Sequence, residues 1–270
     1  MTPAEKVVSP ADPRLHPYRD LKDSALRRSA ELAGGYFIVE GRFALEAVVA
    51  SPYPLESVLV LRRRLSALTG LSLAAETTVY VVEDEVMAAV AGFEVHRGIL
   101  GLARRLPPAD ATDVLARGHL VVVVEGVTDQ ENLGSIFRNA AAFGAGGVLL
   151  DPTCADPLYR RSVRVSLGHV LRVPFARLAP WPGSLRLLER KGFVAVALTP
   201  EGSAETVQDA ADALQGEKIA LVVGAEGRGL SPAVLAACRR VRVPMAPGVD
   251  SLNVAVALAV ALHRFAGPGV

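Results

Sequence analysis

Five side chains in this chain are of kinds that could bind a small polar ligand and manage a proton on it: Asn132, Arg138, Glu226, Ser251 and Asn253. Glu226 lies in Gly224-Ala-Glu-Gly-Arg-Gly-Leu230, and Ser251 and Asn253 lie in a second loop that follows Val241-Arg-Val243. One carboxylate and two small neutral polar groups on glycine-rich loops outline a ligand site, because backbone without Cβ allows close approach. The first loop is not a P-loop: Gly224, Gly229 and Ser231 fit that spacing, but Leu230 stands where the lysine belongs. Nor is it a dinucleotide fingerprint, since Gly227-Arg-Gly229 is followed by Leu230, Ser231 and Pro232 in place of a third glycine. A phosphate tail wants donors this loop lacks. Arg138 sits within an apolar helical run, where a guanidinium calls for an anionic partner. The histidines His16, His96, His119, His169 and His263 are scattered, so no metal-ligand spacing exists.

The elements that must position these groups read as alternating strands and helices. Residues 219–223 form a continuous apolar run suited to a strand buried on both faces and ending at Gly224, and 241–243 form a shorter strand. Two neighbouring strand ends then deliver the two loops, the expected place for a ligand in an open parallel sheet. Ser251 can cap the following helix, whose apolar residues run nearly all round it and predict burial. That helix is too short to span a membrane. Residues 119–124 predict a further buried strand, then a polar loop and a helix from Asn132 to about Phe143, with Asn132 either a cap or a functional group. Strands at 148–150 and 193–198 and helices at 185–191 and 206–214 complete an order that predicts an α/β fold with a mainly parallel sheet. Arg160, Arg161 and Arg164 share one helical face, which is either a phosphate stripe or a solvated surface.

At 270 residues and 51% hydrophobic, the chain can form one large domain or two modest ones with ample core. A formal net charge of +1 does not announce a nucleic-acid binder, so any such role must rest on local patches. Cys154 and Cys238 suit a reduced, cytoplasmic protein with ordinary core thiols. Residues 1–30, with four prolines, read as an N-terminal arm in which Tyr18, Lys22, Arg27 and Arg28 are either RNA contacts or solvated groups. Strands at 37–39, 57–61 and 77–82 and helices at 42–50 and 85–90 make a small α/β domain over 31–103. Arg62, Arg63 and Arg64 are its densest basic run, and 104–118 reads as a linker before the domain at 119–270.

Three blocks resemble the SpoU (TrmH-type) branch of the knotted SPOUT RNA methyltransferases: Asn132-Leu-Gly-Ser-Ile-Phe-Arg138, Gly224-Ala-Glu-Gly-Arg-Gly-Leu230, and Pro244-Met245 with Ser251-Leu-Asn-Val254. Their order and spacing make the resemblance specific over residues 120–265. It implies a C-terminal trefoil knot, a ribosomal-protein-like RNA-binding module at the N-terminus with Glu40-Gly-Arg42 and His96-Arg-Gly98 as landmarks, and a homodimer with no membrane association. It also implies S-adenosyl-L-methionine as cofactor, held by Leu198, Thr199, Gly224, Glu226, Gly227, Val243, Met245, Ser251 and Leu252, with no metal.

The reaction so implied is methyl transfer to a ribose 2'-hydroxyl of rRNA or tRNA. Displacement at a sulfonium carbon needs alignment and help in removing one proton, with little covalent machinery. The resemblance puts Arg138 at that proton, but a guanidinium seldom gives one up, so a positioning and charge-stabilising role fits better. Asn132, Ser251 and Asn253 would fix Arg138 and the ribose, while Glu226 orders the loops or orients Arg138. A catalytically silent RNA-binding or ribosome-assembly protein on the same scaffold is the alternative.

Overall fold

The computed structural model describes residues 4–21 and 24–266, without the side chains of 24–28. The contacts expected of Lys22, Arg27 and Arg28 therefore lie outside the described residues. The backbone divides into two compact units, Met1–Pro107 with Leu158–Arg172, and Pro108–Pro157 with Val173–Val270. Among the described residues no helix is long and apolar enough to cross a membrane.

The first unit contains β1 (Ala4–Lys6), α1 (Ser24–Gly34), β2 (Tyr36–Glu40), α2 (Arg42–Val49), β3 (Leu55–Leu61), β4 (Thr78–Val82), α3 (Asp84–Ala91) and β5 (Ile99–Arg104). Its mixed sheet has the order β1-β4-β3-β5-β2, with β5 antiparallel to both neighbours. The first residues are not a loose arm. β1 pairs with β4, and Val7, Leu15, Tyr18 and Leu21 are buried in the same core as Leu59, Met87 and Leu100. Proline density discourages helix but leaves edge strands and 3₁₀ turns open, and Pro13–Tyr18 is such a turn, with Asp12 accepting a hydrogen bond from the Arg14 amide. Buried Tyr18 shares a 2.7 Å hydrogen bond with Ser57 Oγ, so it is a core residue and not an RNA contact.

The second unit begins with α4 (Ala111–Leu115), capped by Asp110, and Val114 and Leu115 join the core of this unit. Only about 105–110 thus remains of the linker expected at 104–118, because two buried side chains pull its second half into the fold. There follow β6 (Leu120–Glu125), α5 (Gln130–Ala142) and β7 (Val148–Leu150). The chain then contributes α6 (Arg160–Val165) to the first unit, so the C-terminal domain expected at 119–270 is interrupted. Returning, it forms β8 (Phe175–Arg177), α7 (Arg186–Arg190), β9 (Phe193–Leu198), β10 (Glu205–Thr206), α8 (Val207–Ala213), β11 (Lys218–Gly224), α9 (Pro232–Ala237), β12 (Arg239–Arg242) and α10 (Val254–Phe265).

All strand pairs of this second sheet are parallel, in the order β10-β12-β9-β11-β6-β7-β8. β6 and the middle of β11 are buried throughout, as continuous apolar runs with both faces covered should be. α10 packs on α5, α8 and β11 through Val254, Leu258, Ala261 and Leu262. It is not buried all round: Val256 and Val260 are exposed, and with Leu252 they form an apolar stripe.

Candidate active site

Because the central strands run parallel, the C-terminal ends of β6, β9, β11 and β12 share one edge, with Gly224 registered on Glu125 and Val241 on Leu198. The residues expected to hold a ligand all lie at this edge: Leu198 and Gly224 close their strands, and Thr199, Glu226, Gly227, Val243, Met245, Ser251 and Leu252 follow in the loops. The two strands bearing the loops are not neighbours, since β9 lies between β11 and β12. Pairing partners are set by crossover connections, which leave no local mark in the sequence.

Gly224 is where β11 meets the returning loop. A Cβ there would stand 2.4 Å from the Gly229 carbonyl carbon and 2.5 Å from the Leu230 nitrogen, so only glycine fits. The Gly229 amide donates to the Ala225 carbonyl at 2.9 Å, folding 225–229 into a tight hook with Glu226 exposed at its tip.

Asn253 ties the three motif blocks together. Its Nδ2 donates to Asn132 Oδ1 at 2.8 Å and to Glu226 Oε1 at 2.6 Å, while its Oδ1 accepts from the Ala255 and Val256 amides at 3.0 and 3.3 Å. One side chain therefore caps α10 and joins the start of α5 to the β11 hook. The cap expected of Ser251 belongs to Asn253, because the helix starts at Val254 and the cap is the residue directly before it. Likewise Asp129, not Asn132, caps α5, accepting from the Glu131 and Asn132 amides at 2.9 and 2.8 Å. Asn132 is freed from the backbone and points its amide into the cluster. Further along, Asn139 Nδ2 donates to the Ala255 carbonyl at 2.7 Å and fixes α5 against α10.

Beneath the hook lies a group that sequence reasoning missed. Glu125, 9% exposed at the end of β6, accepts from Trp181 Nε1 at 2.7 Å, the Ser231 amide at 2.8 Å and Ser231 Oγ at 2.8 Å. A buried carboxylate with three donors is satisfied and anchors the far end of the hook. Its only sequence signal was an acid closing a run of five apolar residues.

Arg138 behaves otherwise than expected. It lies on the exposed face of α5 and has no hydrogen-bond or ion-pair partner among the described residues. The apolar neighbours Ile136, Phe137 and Ala140 face inward, so the guanidinium needs no internal counter-ion. Glu226 is bonded to Asn253 and not to Arg138, and Ser251 is exposed without a side-chain bond among the described residues. Other arginines are engaged. Arg160 donates to Glu40 at 2.7 Å and lies over the Phe93 ring, Arg62 and Arg63 pair with Glu83 and Asp84, and Arg240 pairs with Glu201. Burial pushes the Cys154 thiol up to about 12 and the Cys238 thiol up to about 11, so neither is a nucleophile near neutral pH. Among the described residues no group of three or more His, Cys, Asp or Glu could hold a metal.

This constellation has relatives. The sequence profile of the SpoU rRNA Methylase family matches residues 119–263, which span all three motif blocks. An uncharacterised tRNA/rRNA methyltransferase of Mycobacterium bovis is 44% identical over 261 residues, covering 96% of this chain and 91% of its own. The 23S rRNA (guanosine-2'-O-)-methyltransferase RlmB of Vibrio cholerae is 35% identical over 175 residues, covering 63% of this chain and 69% of its own. In fold, the chain resembles the SpoU methyltransferase AviRb of Streptomyces viridochromogenes, crystallised with AdoMet, with a TM-score of 0.79 over 94% of this chain and 98% of that one at 24% identity. The chain belongs to the SpoU rRNA Methylase family and is an RNA methyltransferase.

Proposed function

We propose that the protein transfers a methyl group from S-adenosyl-L-methionine to a ribose 2'-hydroxyl of ribosomal or transfer RNA. The observation that carries this is the Asn253 cluster, which gathers Asn132 and Glu226 at the C-terminal edge of a parallel sheet. The edge suits such a cofactor. Arg240 and Arg242 at the end of β12 are held by Glu201 and the Ala204 carbonyl, while the hook offers backbone amides and carbonyls around a glycine that no side chain could replace. Neutral donors and one carboxylate fit an adenosyl group with a cationic sulfonium better than a phosphate chain.

When bound, the cofactor supplies an electrophilic methyl carbon. The loops at Leu198–Thr199, Gly224–Gly227 and Val243–Leu252 hold the nucleoside, with Met245 as an apolar wall. Asn253 and Glu226 keep the hook and the start of α5 in register. Arg138, uncommitted within the chain, meets the RNA backbone and stabilises the ribose oxygen as its proton passes to solvent water and the methyl–sulfur bond breaks to leave the neutral thioether. Ser251 and Asn132 orient the ribose.

The apolar stripe of Leu252, Val256 and Val260 beside α5 supports a homodimer through this face. Two later strands each enter between strands laid down earlier, β11 between β9 and β6 and β12 between β10 and β9, and this order supports the trefoil knot. The first unit serves as the substrate-binding module, and the reaction belongs to the cytoplasm. Calorimetry with S-adenosyl-L-methionine and its demethylated product, joined to labelled-methyl incorporation into total RNA, tests the reading. We expect micromolar binding and 2'-O-methylated product; binding of neither ligand would end it.

A further inference from the structure

Among the exposed large apolar side chains of the first unit, two share one groove: Phe43 on α2 is 70% exposed and Leu167, just after α6, is 55% exposed. They line one groove of about 550 Å³ together with Ala47, Gly168 and Arg172. That volume lies within the range of about 300–1,000 Å³ usual for ligand clefts.

The groove is built rather than incidental. Leu167 has φ 52°, a left-handed conformation that a non-glycine residue avoids unless its surroundings impose it. The end of α6 imposes it: the Leu167 amide donates to the Arg164 carbonyl at 3.1 Å and the Gly168 amide to the Val163 carbonyl at 2.9 Å, closing the helix through a left-handed residue. A Cβ on Gly168 would stand 2.2 Å from Ala47 Cβ, so the turn is pressed against α2 and the strained residue carries its side chain into the groove that Phe43 lines.

Its charge favours one class of occupant. The acid at the groove, Glu46, is bound to Arg42 at 2.7 Å, whereas exposed Arg172 has no side-chain partner among the described residues. An exposed aromatic face, an aliphatic lid and an uncommitted guanidinium are the elements that stack an unpaired base and bind its phosphate. Two exposed apolar side chains fall far short of the roughly 800 Å² per partner that a stable protein interface buries. We propose that the Phe43–Leu167 groove holds one unpaired nucleobase of the RNA substrate, with Arg172 on the adjoining phosphate. This rests on the RNA methyltransferase reading and adds a second contact, on the first unit, to the methyl-transfer edge.

The test compares binding of the full chain to a labelled short single-stranded RNA and to the same ribose-phosphate backbone without bases. Phe43→Ala should weaken binding of the base-bearing RNA by about tenfold and leave the base-free backbone unchanged, and Phe43→Trp should restore it. Leu167→Gly, which removes the side chain and relieves the turn, should act in the same direction. Arg172→Ala should weaken both ligands alike. If the wild type incorporates methyl into RNA and both Phe43→Ala and Leu167→Gly match it in RNA binding, the groove assignment is overturned and the transferase reading stands. A change of solution mass in Phe43→Ala, without a change in RNA binding, would overturn it in favour of a second copy of the chain. Equal binding of base-bearing and base-free RNA by the wild type, with no methyl incorporated, would remove both readings.

Discussion

Arg160 and Arg138 both project from helices in the region matched by the family profile, and their surroundings differ in every respect that matters. Arg160 in the first unit is four-fifths buried, pairs with Glu40 at 2.7 Å, lies 4.9 Å from the Phe93 ring centre and reaches the Leu21 carbonyl. Arg138 in the second unit is exposed and has no partner among the described residues. The same contrast separates two carboxylates: Glu125 is buried with three donors, Glu226 is exposed with one donor, Asn253. A charge fully satisfied within the chain is tied to the fold. One left with free valences is available for a ligand.

Measurements at four residues test that contrast. Arg138→Ala should lower methyl transfer by on the order of 10²–10³-fold, as removal of a charge-stabilising donor does. Its cofactor affinity by calorimetry and its unfolding midpoint should stay within error, and substantial residual activity would return Arg138 to the solvated surface. Arg160→Ala should do the reverse. Breaking a largely buried pair from one side costs about 3 kcal/mol, read by urea unfolding, because the Glu40 carboxylate, 8% exposed, is left unpaired.

Asn253→Ala combines both kinds of role. Losing the cap should cost about 1 kcal/mol, and because the Asn132 and Glu226 bonds go with it, cofactor affinity should fall as well. Asn253→Asp, which can cap but presents a second carboxylate to Glu226, should recover the cap's share of the stability and not the affinity. The last outcome concerns Cys238, whose thiol is held up to about 11 by burial and the nearby Glu125 carboxylate. At pH 9 its alkylation should lag a free cysteine by roughly fifty-fold, rising toward pH 11. The folded chain keeps that proton longer than the unfolded chain. The corresponding stability is present below about pH 9 and is lost as pH rises toward 11.

Much of this was legible in the chain. The runs at 219–223 and 119–124 gave β11 and β6 because a strand covered on both faces has no polar alternation to preserve. A glycine ending the run at Gly224 signals a point of close approach, and the hook shows why, with backbone atoms 2.4–2.5 Å from where its Cβ would be. The three motif blocks identified the edge at which Asn132, Glu226 and Asn253 meet.

What local reading could not reach were decisions made across the sheet. Whether Asn253 or Ser251 caps α10 turns on one residue of helix start. Whether β11 adjoins β12 turns on β9 inserting between them. That Val7, Leu15 and Tyr18 are core rather than arm depends on β4 offering an edge to pair with. The transfer of 158–172 to the first unit depends on Glu40 and Phe93 receiving Arg160. Which stretches must be buried and which loops lack side chains can be read from the residues alone, since hydrophobicity and steric allowance are properties of each residue. Which polar group meets which depends on the folded chain, because hydrogen bonds of about 3 Å between residues more than a hundred positions apart are set by crossover geometry.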